Sequence, residues 1–133
     1  MNNVTRFIGS KNWYSINSNV VLAAAFYSEK NKTEGEISVF DIDKELKSGK
    51  EDKIFKLGDK IYKRKPHTLA RADMKVADIN KIKANNEFLR VDKDLMSKHC
   101  NIRPFPVNDA LALNVAGQLA RISRLIIRQK NKL

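Results

Sequence analysis

The segment Glu36-Ile-Ser-Val-Phe-Asp-Ile42 constrains this chain more than any other. β-Branched and aromatic residues fill both of its alternating sets, the pattern of a strand covered on both faces. Such a strand needs a packing layer on each side of its sheet. Around it lie other short strand-like runs: Val4-Thr-Arg-Phe-Ile8, Leu69-Ala-Arg-Ala-Asp-Met74, Phe88-Leu-Arg-Val91 and His99-Cys-Asn-Ile-Arg103. Helical patterns separate most of them. The expected fold is α+β or α/β: a small single domain over residues 1–133, with a sheet of four to five strands packed by three to four helices.

Four helices are expected. Ser18-Asn19 before the alanine-rich Val20–Tyr27 predicts a capped helix, although the valine pair leaves a strand start open. Ser48-Gly-Lys-Glu51 has capping-box spacing and introduces a helix through about Arg64, with Pro66 beyond it. Val76, Ile79 and Ile82 predict a short helix that ends at Asn85-Asn86. Asn108-Asp109 then opens a long C-terminal amphipathic helix running to about residue 129. Its stripe of Leu111, Val115, Leu119, Ile122 and Ile126 spans an arc of about 80° at 100° per residue.

Charge narrows the function classes. The chain has 26 Lys+Arg against 15 Asp+Glu, a net charge of +11. None of that excess comes from residues 1–43, which carry four basic and five acidic side chains. Residues 44–66 alone carry nine basic and four acidic ones. A one-sided positive field favours polyanions: nucleic acid, RNA ahead of DNA, or an acidic protein partner. The longest apolar run, Val20–Tyr27, is far short of the ~20 residues a bilayer span needs, so no membrane association is expected. Met1-Asn-Asn-Val-Thr-Arg6 shows no signal-peptide pattern, and the expected location is cytoplasmic. A single cysteine, Cys100, excludes an internal disulfide and any CxxC zinc site, and reads as a small core residue. The glycines are scattered, with no phosphate-binding loop, and no metal or other cofactor is expected.

The candidate chemistry centres on the two histidines. His67 precedes the strand in which Arg71 and Asp73 share a face, and His99 opens the strand in which it shares a face with Asn101 and Arg103. If these strands are neighbours with those faces turned the same way, one cationic pocket results. That set suits metal-independent RNA cleavage of the toxin or defence type. His67 and His99 would act as acid and base, Arg71 and Arg103 as phosphate ligands, and Asp73 and Asn101 as orienting groups. Arg121, Arg124 and Arg128 fall at i, i+3 and i+7 and would track a phosphate backbone from the last helix. A non-catalytic nucleic-acid-binding module that uses the lysine helix and this arginine stripe is the alternative. A basic protein that neutralises an acidic partner is another, and a nucleotide or ADP-ribosyl transferase using Arg6, Tyr14 and Glu36 is the weakest.

Overall fold

The computed structural model describes residues 1–63, 68–94 and 97–129. The chain begins with β1 (Asn3–Ile8), then a 3-10 turn at Lys11–Trp13 and a hairpin of β2 (Tyr14–Ser15) and β3 (Val20–Val21). A second 3-10 turn at Ala23–Ala25 leads to α1 (Glu29–Glu34), β4 (Ile37–Asp41), α2 (Asp43–Lys47) and α3 (Asp52–Tyr62). After these come β5 (Ala70–Lys75), α4 (Val76–Ile79), a small hairpin of β6 (Lys83–Ala84) and β7 (Glu87–Phe88), and β8 (Arg90–Lys93). The described chain closes with β9 (His99–Arg103), α5 (Asp109–Ile122) and β10 (Arg124–Ile127).

Six strands form the main sheet in the order β10-β5-β1-β4-β9-β8, and every neighbouring pair is antiparallel. The mixed α+β class agrees with the sequence reading. The sheet is larger than expected and the described residues hold five α-helices, because several short elements replace longer expected ones. β4 lies at the centre, as its two-sided apolar pattern requires. On one face Val4, Ile37, Val39, Met74, Cys100 and Ile102 join a core closed by α5 and the Ala23–Ala25 turn. On the other face Phe7, Phe40, Ile42 and Ile54 form a second cluster under α2 and α3. α3 lies close on this face: a Cβ added at Gly58 would stand 2.8 Å from the Phe7 ring and 3.0 Å from Thr68 Oγ1.

Four expectations are corrected. Val20–Tyr27 is a strand end and a 3-10 turn rather than a helix, because Val20 and Val21 pair with Ser15 and Tyr14. Ser48 forms no capping box. Its hydroxyl donates to Lys44 O at 2.7 Å and closes α2, and Glu51 precedes α3 with no side-chain cap. The helix expected from Val76 stops at Ile79, because Lys83-Ala84 folds back on Glu87-Phe88 around Asn85, whose φ is 62°. The long C-terminal helix starts as expected, with Asn108 Oδ1 accepting from Leu111 N at 3.1 Å, but it ends at Ile122. Ser123 hydroxyl donates back to Leu119 O at 2.7 Å, and Arg124–Ile127 beyond it joins the sheet edge beside β5. The buried face of α5 is Ala112, Val115, Ala116, Leu119 and Ala120, whereas Leu111 is 41% exposed.

Candidate functional site

The face of the sheet under α3 carries both polar sets singled out in the sequence. Register pairs Arg124 with Asp73, Asp73 with Thr5, Thr5 with Phe40 and Phe40 with His99, one row across five strands. Arg71, Asp73, His99, Asn101 and Arg103 therefore do point the same way. They are not neighbours. β5 and β9 are separated by β1 and β4, which puts their axes about 14 Å apart. Phe7, Phe40 and Tyr62 fill the space between, with Phe7–Phe40 centroids at 5.5 Å and both rings edge-on to Tyr62 at 6.3 Å. The polar residues thus form two separate sites. His67 lies outside the described residues.

The β5 site is satisfied from within, although small clefts of about 180 and 220 Å³ reach Arg71. Arg71 is 2% exposed, with Nε donating to Asp73 Oδ1 at 3.0 Å and Nη1 to Glu51 O at 3.3 Å. Its guanidinium stands 5.1 Å from the Phe55 ring centroid. Thr5 hydroxyl donates to the same Asp73 oxygen at 2.7 Å. A buried charge so satisfied holds α3 to the sheet, and binding phosphate there requires these bonds to break.

The β9 site is open. His99 Nδ1 meets Asp94 Oδ2, and Nε2 lies 3.0 Å from Ser38 Oγ. A carboxylate only accepts, so Nδ1 carries the proton in neutral imidazole and Nε2 accepts from the serine hydroxyl. The Phe40 ring, 5.4 Å away centre to centre, backs the imidazole. Beside this pair runs a groove of about 580 Å³ lined by Ser38, Phe40, Leu57, Ile61, Tyr62 and His99, with Ser97 and Lys98 at its edge. Asn101, 6% exposed, lies opposite Ser38 in the register, and its side chain makes no hydrogen bond among the described residues. Arg103 is occupied: Nε donates to Glu36 Oε2 at 2.7 Å and Nη1 to Asp92 Oδ2 at 3.2 Å. The Glu36 hydrogen bond, with Asp92 adding to it, pushes the guanidinium further above its ordinary range.

The arginine stripe is dispersed. Arg121 is exposed on the last turn of α5, and Arg124 is exposed on β10. The Arg128 side chain is 6% exposed and donates through Nη1 to Asp59 Oδ1 at 2.9 Å. What replaces the stripe is the outer surface of α2 and α3. Lys44, Lys47, Lys50, Lys53, Lys56, Lys60 and Lys63 are all exposed, and none forms an ion pair among the described residues. Most carboxylates near them are held elsewhere: Glu45 by Lys98, Glu51 and Asp73 by Arg71, Asp59 by Arg128; Asp52, exposed at the start of α3, is the exception among the described residues of α2 and α3. On α3, Lys53 and Lys60 stand about 40° and 60° around the helix from groove-lining Leu57, so the lysine surface borders the groove.

Ser38 and Asp94 were missed from sequence. Ser38 leaves one signal, a hydroxyl in an otherwise apolar central strand. Asp94 leaves none, because only the chain path into β9 brings it to His99. Among the described residues no cluster of metal-ligating side chains occurs, and no helix is long and apolar enough to cross a membrane. Comparison with protein-family models, curated proteins and solved structures found no match to this chain.

Proposed function

We propose that this chain binds single-stranded nucleic acid, RNA ahead of DNA. Phosphates lie along the lysine surface of α2 and α3, and an unstacked base enters the groove beside it. The observation that carries this reading is the distribution of compensation. Internal ion pairs take up Arg71, Arg103 and Arg128, while seven neighbouring lysines are left exposed and unpaired among the described residues. Such a surface attracts a polyanion by releasing its condensed counterions. The apolar groove suits an unstacked base, which only single strands present freely. Ser38 Oγ, its own proton given to His99, keeps a lone pair that can accept from a 2′-hydroxyl, which favours RNA.

Fluorescence anisotropy with labelled single-stranded RNA and DNA over a salt series tests this. Replacing Lys53, Lys56, Lys60 and Lys63 by Gln should flatten the log–log salt slope by about 3, from about 0.7 per phosphate contact in single strands. An unchanged slope removes this surface as the contact. Binding to polyglutamate as tight as to RNA moves the reading to an acidic protein partner. Cleavage by His67 and His99 is the narrower form. It requires that His67→Ala and His99→Ala each abolish RNA cleavage while the folded signal persists.

A further inference from the structure

We propose that Ser38, His99 and Asp94 form a hydrolytic centre for carboxylic esters that carry an apolar acyl group. This proposal shares Ser38, His99 and the groove with the nucleic-acid reading, but it needs none of the lysine surface, and its test is read without nucleic acid. Three side chains from β4, the start of β9 and the loop before it are joined in the order carboxylate, imidazole, hydroxyl. Asp94 holds His99 Nδ1, and His99 Nε2 stands 3.0 Å from Ser38 Oγ. That is the arrangement that activates a serine: the carboxylate fixes the tautomer, and the free ring nitrogen faces the hydroxyl proton. Ser38 and His99 both line the groove, so the hydroxyl is placed where a ligand lies. The rest of the groove is chiefly Phe40, Leu57, Ile61 and Tyr62, a surface for an acyl chain.

A fourth group completes the set. Asn101 is 6% exposed and directly across from Ser38, and its amide makes no hydrogen bond among the described residues. Directly opposite residues in an antiparallel pair have Cβ atoms about 5 Å apart. Asn101 does not itself line the groove, so in this proposal its amide N–H meets the acyl oxygen from beside Ser38.

The steps balance without any further reagent than water. Ser38 Oγ attacks the ester carbonyl carbon, its proton passes to His99 Nε2, and the carbonyl oxygen becomes an anion that accepts from Asn101. The C–O bond to the alcohol then breaks, and the alkoxide leaves with the proton from His99. Water attacks the acyl-Ser38 ester, His99 takes its proton and returns it to Ser38 Oγ, and the carboxylic acid is released.

The experiment uses the full chain and p-nitrophenyl acetate, butyrate and hexanoate, together with a fluorophosphonate probe located by peptide mass spectrometry. Expected are label on Ser38, hydrolysis that rises with acyl length, and loss of both in Ser38→Ala. Asn101→Ala should lower kcat by about 10²–10³-fold and leave KM nearly unchanged. Asp94→Asn should lower kcat and label rate together. Label on any other residue, or Ser38→Ala hydrolysing at the parent rate, overturns the proposal. So does a parent chain that neither takes the label nor hydrolyses any of the three esters. Mapping the label on the parent protein keeps the test decisive even if a variant folds poorly.

Discussion

The two ends of the α3-covered sheet face start from similar material and finish differently. At the β5 end, Arg71 and Asp73 alternate with alanines, and at the β9 end His99, Asn101 and Arg103 alternate with Cys100 and Ile102. The β5 end lies beneath the first turns of α3, where Glu51 and Phe55 close over Arg71. The β9 end lies beside the last turns, where Leu57, Ile61 and Tyr62 border a groove instead of filling it. The same polar alternation thus becomes an internally satisfied ion pair at one end and an accessible imidazole at the other. Polar residues on a strand face mark a place where burial must be compensated. Whether a neighbour or a ligand does so depends on where the covering helix sits.

The sharpest way to break this contrast is at Arg71. Arg71→Ala leaves Asp73 without its cation under α3 and should cost about 3–5 kcal/mol in urea unfolding. A loss below about 1 kcal/mol would mean that the β5 end is wet and available to ligands. Next comes Gly58→Ala, which sets a methyl group 2.8 Å from the Phe7 ring and should cost about 1–3 kcal/mol as α3 lifts. If α3 lifts more at the groove than over Arg71, ester hydrolysis and RNA binding will change more than stability does. The smallest effect belongs to the open end. Ser38→Ala removes one half-exposed hydrogen bond and should cost about 0.5–1.5 kcal/mol, measured in the same unfolding experiment. A cost as large as that of Arg71→Ala would make the Ser38–His99 pair a structural tie.

Local pattern accounts for what was legible. The central place of residues 37–41 followed from apolar residues on both sides of one strand. The alternation in β5 and β9 was visible, and so was the side to which each polar set belongs relative to its own apolar set. The Asn108 cap was legible because capping is decided within four residues. The failures came where a local pattern fits two answers. Val20-Val21 and the run after Ser123 satisfy both a helix and a strand on paper, and pairing partners elsewhere in the chain chose the strand. Ile126 fell on the apolar stripe of the last helix by spacing alone, and its backbone belongs to β10.

The sequence by itself determined a mixed chain, α+β or α/β, with a doubly covered strand, a positive excess confined to residues beyond 43, and two polar strand faces. Tertiary structure decided that β1 and β4 separate those faces, that ion pairs occupy Arg71, Arg103 and Arg128, and that Asp94 and Ser38 meet at His99. The physical reason is range. Side-chain alternation and capping act over a few residues and are written in the local order of the chain. Strand neighbours and charge partners are chosen among segments far apart in sequence by the burial they achieve together.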